Sequence, residues 1–127
     1  MSLKVLVVGL GNMGMSHALA YTRIPGFDVV GLCERRIADR TLPAELSHCK
    51  TFASFEDALA ELKPDVVSIN TLPDTHASFA IQAMEAGAHV FVEKPLANTI
   101  ENAQSVVDTS VRTGKKCLKT CAIIWEA

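Results

Sequence analysis

Short apolar runs alternate with stretches of helical spacing along this sequence. A short continuous apolar run is typical of a strand buried on both faces of a sheet, whereas apolar residues that recur every three or four positions are typical of a helix. The pattern predicts six strands, and these are Lys4–Val8, Asp28–Cys33, Lys50–Phe52, Val66–Asn70, His89–Val92 and Cys117–Ile124.

Helical segments fill the intervals between the predicted strands. The first is Met13–Ile24, and the second is the weaker segment Ile37–Leu46, which Pro43 interrupts. The third is capped by Ser54 and runs to Leu62, and the fourth runs from about Thr75 to Ala86. The fifth is capped by Asn98 or Thr99 and runs to Gly114. Strands that alternate with helices are joined by right-handed crossovers. The sequence therefore predicts an α/β fold of the Rossmann type, with a doubly wound parallel sheet in strand order 3-2-1-4-5-6.

Composition and charge narrow the class of protein. The 127 residues are 49% hydrophobic and 20% charged, which is typical of one globular domain, and we expect a single domain over residues 1–127. A net charge of −2 gives no electrostatic reason to expect a nucleic acid or an acidic membrane surface as a partner. The apolar run after Lys4 is too short for a signal peptide, and no run is long enough to cross a bilayer. We expect a cytoplasmic protein.

The cysteines do not follow the spacing of a metal site. No C-x-x-C pair occurs among the four cysteines, which are Cys33, Cys49, Cys117 and Cys121. Cys117 and Cys121 are four residues apart, but two ligands do not make a zinc site. We expect reduced, mostly buried thiols and no metal.

A glycine-rich turn follows the first predicted strand and opens the first predicted helix. In the run Gly-Leu-Gly-Asn-Met-Gly, Gly9 would make the tight turn, Gly11 would let the backbone approach a pyrophosphate, and Gly14 would let the helix pack closely on the strand. Asn12 and Met13 lie at the helix N-terminus, where free amides and a partial positive charge favour phosphate. The turn predicts a dinucleotide site that includes all five residues.

An acidic residue ends the second predicted strand. Glu34 lies about 20 residues after Gly14, where a carboxylate can accept hydrogen bonds from the hydroxyl groups of the adenine ribose. Because the same carboxylate repels a 2′-phosphate, NAD is the expected cofactor. Arg35 and Arg36 leave NADP open, since guanidinium groups bind phosphate and also stack on adenine, although both can instead belong to a solvated turn.

A second group of polar residues follows the fifth predicted strand. Glu93 and Lys94 come at its carboxyl end, where ligands of open α/β sheets bind. A carboxylate there can hold the hydroxyl groups of the nicotinamide ribose, and an ammonium group can polarise a substrate oxygen. The bond before Pro95 is a candidate for the cis form. The alternative is that the Glu-Lys pair is only part of a solvated loop.

Together these motifs resemble the N-terminal half of the Gfo/Idh/MocA oxidoreductases, which include glucose–fructose oxidoreductase and inositol dehydrogenase. The resemblance covers about Leu3 to Leu118 and depends most on the Glu-Lys-Pro context. It implies that Glu93 meets the nicotinamide ribose and that Lys94 is the catalytic residue, facing the substrate near the centre of hydride transfer.

The resemblance also assigns residues after the fourth strand to the cofactor cleft. Thr71, Leu72 and His76 would lie there, although the family usually has Thr-Pro where this chain has Thr71-Leu72-Pro73. His17 stands where the family often carries a histidine, and a packing and hydrogen-bonding role is the expected one.

Members of the family continue into a second α/β domain, which by the resemblance is the source of the substrate pocket, the usual aspartate and histidine catalytic pair and the oligomer interface. We therefore expect a truncated, cofactor-binding half of an oxidoreductase that acts by hydride transfer on a sugar, a polyol or a related small hydroxy or oxo compound. We expect it to be inactive alone and to take a substrate only if a second domain is supplied, so its status as an enzyme stays open.

Two further expectations follow. An uncovered sheet edge and Trp125 could lead to a homo-oligomer. The alternative function is a non-catalytic nucleotide-binding or sensor module. A nucleotide-binding ligase subunit would share the glycine turn but would not explain Glu34 together with Glu93.

Overall fold

One parallel sheet forms the centre of the molecule. The computed structural model of the protein describes residues 2–119, apart from the side chain of Lys119. Its strands are β1 (Leu3–Val8), β2 (Phe27–Cys33), β3 (Lys50–Phe52), β4 (Val66–Ile69), β5 (His89–Val92) and β6 (Cys117–Lys119). Their order is β3-β2-β1-β4-β5-β6 and every pairing is parallel, which confirms the predicted fold and strand order. The predicted continuation of the last strand over residues 120–124 lies outside the described residues, as do Cys121 and Trp125.

Four α-helices follow β1, β3, β4 and β5 in the described part of the chain. They are α1 (Asn12–Thr22), α2 (Phe55–Leu62), α3 (Pro73–Glu85) and α4 (Ile100–Thr113). The caps agree with the sequence: the Ser54 hydroxyl accepts from the Asp57 amide at 3.3 Å, and Thr99 rather than Asn98 caps α4 by accepting from the Asn102 amide at 3.0 Å. Within residues 2–119, none of the helices has the length and apolar character that crossing a bilayer requires.

Three predicted helical segments differ from the structure. The first is α1, which spans Asn12–Thr22 and not Met13–Ile24. The segment predicted as one weak helix forms two short 3₁₀ turns, Ile37–Asp39 and Ala44–Leu46, because Pro43 lacks an amide donor and disfavours helical backbone in the residue before it. Helix α3 begins at Pro73 and not at Thr75. Proline suits the first position of a helix, since the amide it lacks would have had no intrahelical partner there.

The sheet separates two apolar cores. Strand β1 shows the division most clearly, since Val5 and Val7 pack in the core under α1, whereas Leu6 and Val8 pack in the core that α2 and α3 cover. All four side chains are buried, which explains why the strand is apolar at every position from Val5 onward.

The topology brings several chain segments to one edge of the sheet. In a parallel sheet all carboxyl ends of the strands lie at the same edge. The sheet order places β4 beside β1, although β2 follows β1 in sequence. The loops after β1 and β4 therefore leave in opposite directions, and the crevice between them is where open α/β sheets bind ligands.

Candidate cofactor site

The turn between β1 and α1 depends on two of its three glycines for its backbone path. Gly9 has φ +87°, and a Cβ atom there would lie 2.6 Å from the carbonyl oxygen of Asn70. A Cβ atom on Gly14 would overlap the carbonyl oxygen of Gly9. A Cβ atom on Gly11, in contrast, would meet no described atom within 4 Å. Gly11 therefore borders open space, as a backbone that approaches a ligand must.

The first turn of α1 continues this surface. Gly11 is the N-cap, and no described side chain caps the helix or places an acidic group in its first turn. Asn12 and Met13 are exposed there. Because the first amides of a helix lack intrahelical partners and carry a partial positive charge, this end can hold a phosphate group.

Glu34 lies directly against the glycine turn. Its Oε1 atom accepts a hydrogen bond from the Leu10 amide at 2.8 Å, and an Nη2 atom of Arg40 lies 3.8 Å from the same oxygen. The carboxylate is half-buried, so the turn and the end of β2 hold it in one place. Since a carboxylate can accept about four hydrogen bonds, capacity remains for the hydroxyl groups of a ribose.

A cleft of about 380 Å³ opens between the glycine turn and the loops after β2 and β4. The predicted site residues that line it are Gly9, Gly11, Glu34, Arg35, Thr71 and Leu72. The structure thus brings together residues from three separate chain segments.

The wall of the cleft contains an aromatic pair that sequence reasoning missed. Phe55 and Phe79 stack with ring centroids 4.4 Å apart and both line the cleft. Cys33 lies in the same wall; burial, with smaller contributions from Glu34 and Glu56, raises the pKa of its thiol to about 11. The thiol therefore stays neutral at physiological pH, and this part of the wall is apolar, as a base such as adenine requires.

Other lining residues also escaped sequence reasoning, although their types offered a signal. Arg40 and Asp74 line the cleft. Arg40 is the third arginine after Glu34 in the sequence, and the turn at Ile37–Asp39 brings it back toward the Glu34 carboxylate.

Asn70 is the most informative of the missed residues. Its Nδ2 atom donates to the Ser68 hydroxyl at 3.1 Å, but its Oδ1 atom is buried with no hydrogen-bond partner among the described atoms. Buried polar atoms are almost always paired, so an unpaired acceptor in a cleft wall fits a ligand that brings its own donors. A polar residue at the carboxyl end of a mainly apolar predicted strand was the available signal.

The loop after β5 lies apart from this cleft. Glu93 is half-buried and Lys94 is exposed, and neither lines the cleft. The Lys94–Pro95 peptide bond is cis, as the sequence indicated. On the side toward α1, the Oε2 atom of Glu93 lies 3.1 Å from the Nε2 atom of His17.

His76 is buried between two loops and does not line the cleft. Its Nδ1 atom lies 2.6 Å from the carbonyl oxygen of Pro95, and its Nε2 atom lies 2.8 Å from the carbonyl oxygen of Thr71. The ring therefore links the loop after β4, which borders the cleft, to the loop that carries Glu93 and Lys94. Thr71 is held further by its hydroxyl, which lies 2.6 Å from the hydroxyl of Thr75.

The cysteines that the structure describes are free thiols. Cys33 and Cys49 are buried and Cys117 is half-buried. Burial raises the pKa of each of these thiols to about 11. Among residues 2–119, no three histidine, cysteine or acidic side chains lie close enough together to hold a metal ion.

Comparison with known proteins shows a similar domain in a group of oxidoreductases and glycosidases. The family model described as an oxidoreductase family with an NAD-binding Rossmann fold matches residues 3–120. A glycosyl hydrolase family 109 protein of Akkermansia muciniphila is 36% identical over 126 residues, which are 91% of this chain and 27% of that protein. The chain thus spans about a quarter of the length of such curated relatives.

Solved structures agree with this match. Scyllo-inositol dehydrogenase from Lactobacillus casei, with bound NAD(H) and scyllo-inositol, superposes with a TM-score of 0.82 at 25% identity, over 94% of this chain and 36% of that one. An NAD-binding protein from Listeria innocua superposes with a TM-score of 0.80 at 32% identity, over 94% of this chain and 35% of that one.

Proposed function

Because the chain belongs to the Gfo/Idh/MocA oxidoreductase family through its NAD-binding Rossmann fold, we propose that it holds NAD for hydride transfer on a sugar, a polyol or a related small hydroxy or oxo compound. The observation that carries the proposal is the Glu34 carboxylate, which the Leu10 amide holds at 2.8 Å beside the open face of Gly11. A ribose acceptor and a pyrophosphate-binding backbone thus lie side by side.

Each part of the cleft has a role in this proposal. The Glu34 carboxylate would accept hydrogen bonds from the hydroxyl groups of the adenine ribose. The pyrophosphate would be held by Gly11 and by the first turn of α1, which contains Asn12 and Met13. The apolar wall and the guanidinium group of Arg35, which both line the cleft, would hold the adenine. Thr71 and Leu72 border the cofactor from the loop after β4.

The same arrangement favours NAD over NADP. Glu34 would repel a 2′-phosphate, and the Leu10 amide holds its carboxylate in place. Arg40, 3.8 Å away, offsets part of this repulsion, so NADP binds but does so more weakly than NAD.

The residues that would hold the reacting end of the cofactor belong to the loop after β5. A bound NAD would supply hydride transfer: it would oxidise an alcohol carbon by accepting its hydride, and it could serve a redox-neutral hydrolysis by accepting a hydride and returning it. Glu93 holds the nicotinamide ribose there, and the ammonium group of Lys94 polarises the substrate oxygen and stabilises the negative charge that develops on it. His76 acts through the loops that it joins and not by touching the cofactor.

A second candidate function follows from the glycosyl hydrolase family 109 relative, which is named as a hydrolase although it shares this domain. If this domain serves a glycosidase, the hydride is returned in each cycle and NADH does not accumulate. Steady growth of NADH absorbance with a sugar or polyol would support the dehydrogenase; release of a sugar from a glycoside without that growth would support the hydrolase.

The first test is titration of the purified 127-residue chain with NADH, followed by nicotinamide fluorescence. We expect saturable binding, weaker for NADPH, and little or no turnover by this chain alone. The chain spans only about a quarter of its curated relatives, and a nicotinamide that is open to water lacks the walls that exclude solvent and position a substrate. Absence of saturation at millimolar NADH would reject the proposal. If the domain binds NADH saturably but a longer protein that contains it shows no hydride transfer either, the sensor module would be favoured.

A further inference from the structure

His17 connects the helix of the pyrophosphate site to the end of a distant strand. It lies in α1, three residues after Gly14, and its Nε2 atom lies 3.1 Å from Oε2 of Glu93. The two residues are 76 positions apart in sequence. A carboxylate only accepts hydrogen bonds, so the contact assigns the ring proton to Nε2.

The ring of His17 is itself held by its neighbours. Tyr21, one turn further along α1, stacks on it with ring centroids 6.2 Å apart and an interplanar angle of 23°. The Tyr21 hydroxyl donates to the Ser68 hydroxyl at 3.0 Å, and both of these residues are buried. The imidazole therefore cannot swing freely, and a fixed donor restricts the rotation of the carboxylate that it contacts.

We infer that His17 is a positioning residue, which holds the Glu93 carboxylate in the orientation that binds the ribose at the nicotinamide end of the cofactor. The inference rests on the proposed function. One rigid helix then serves both halves of the cofactor, because α1 offers its first amides to the pyrophosphate and, one turn later, orients the ribose-binding carboxylate. A packing histidine would stabilise the fold without distinguishing one end of the cofactor from the other.

Two fragments of NAD separate these roles. ADP-ribose carries the second ribose and ADP lacks it, so the ratio of their dissociation constants reports on the Glu93 end alone. We expect His17→Leu to weaken ADP-ribose binding about fivefold to tenfold, less than the loss of a hydrogen bond made directly to a charged group would cost, because His17 acts through Glu93. ADP binding should stay within about twofold of the wild-type value. His17→Gln, which retains a donor, should recover most of the loss. Calorimetric titration of each variant measures both ligands.

His48→Leu is the matched control. His48 is exposed and contacts the Val29 carbonyl oxygen at 3.1 Å, away from the cleft and from Glu93. We expect it to change neither dissociation constant. If His17→Leu does not fold, His17→Asn, whose shorter polar side chain withdraws the donor, takes its place.

A double variant tests whether the two residues act as one unit. Glu93→Gln should weaken ADP-ribose, and adding His17→Leu to it should cost less than about twofold more, because residues in direct contact are not additive. Equal weakening of ADP and ADP-ribose by His17→Leu, or losses that multiply in the double variant, would overturn the inference and leave NAD binding intact. A wild-type chain that binds neither fragment would overturn the proposed function and this inference with it.

Discussion

At the glycine turn the protein presents mainly its backbone, whereas at the end of β5 it presents side chains that other elements hold in place. The turn is shaped by Gly9 and Gly14, whose missing Cβ atoms leave room for Asn70 and for the turn itself. The β5 end depends on His17 and His76, which reach it from α1 and α3. A backbone site tolerates few changes of shape, while a side-chain site can be altered one contact at a time. Variants at the two ends should therefore differ in what they damage.

The largest expected effect is on stability at the glycine turn. Gly14→Ala should lower the free energy of unfolding by about 3 kcal/mol, because the added methyl group would overlap the Gly9 carbonyl oxygen and the backbone must shift to relieve it. Urea denaturation measures the change. A variant as stable as the wild type would show that the helix does not pack on the turn as closely as described.

Gly11→Ala separates binding from folding at the same turn. The methyl group would enter open space, so the cost in stability should be about 1 kcal/mol or less, from the weaker N-cap. NADH affinity should fall about tenfold or more, equivalent to about 1.4 kcal/mol, because the methyl group occupies the approach of the pyrophosphate. Fluorescence titration beside urea denaturation checks both values. Unchanged affinity would place the pyrophosphate elsewhere.

Glu34→Gln tests the carboxylate without changing its shape. We expect NADH to bind about fivefold more weakly, less than the full loss of a hydrogen bond to a charged group, because the amide oxygen of Gln still accepts a hydrogen bond. The affinity for NADPH should fall much less or should rise. The measurement is the ratio of the two dissociation constants.

Glu85→Gln is the control for this ratio. Glu85 pairs with Arg112 at 2.8 Å on the surface, and an exposed ion pair contributes about 1 kcal/mol at most. It should leave the NADH to NADPH ratio as it is. If Glu34→Gln also leaves that ratio unchanged, the carboxylate does not select the cofactor.

The smallest effect on structure is expected at the other end. Lys94 is exposed, so Lys94→Ala should change the free energy of unfolding by about 0.5 kcal/mol or less and should spare NADH binding. It should abolish any hydride transfer that the protein performs, which NADH absorbance with a panel of sugars and polyols would measure. Retention of transfer would remove Lys94 from the catalytic role.

Much of the fold follows from patterns that act over short distances in sequence. The apolar runs predicted all six strands, and their alternation with helices predicted the sheet order. The failures were local as well: Pro43 divided a weak helical pattern into two 3₁₀ turns, and Pro73 began α3 early. Proline limits backbone geometry in both cases, but the sequence does not say whether it ends an element or starts one.

The candidate site was predictable where it depends on consecutive residues. The glycine turn and Glu34 could be predicted because a tight turn and a strand end have their own residue preferences. Phe79 and Arg40 were missed because only the folded chain brings them beside the turn, and Asn70 was missed although its polar side chain ends a mainly apolar predicted strand. Each reaches the cleft only because the chain folds back to the same edge of the sheet.

The sequence by itself determined the elements, the parallel sheet and the type of ligand, because hydrophobic periodicity and glycine geometry operate among near neighbours in the chain. Only the tertiary structure decided that His17 meets Glu93 and that His76 joins the loops of Thr71 and Pro95 instead of lining the cleft. Such contacts depend on how α1 and α3 pack on the sheet to within an ångström or so. That distance is set by the whole core and not by any local pattern.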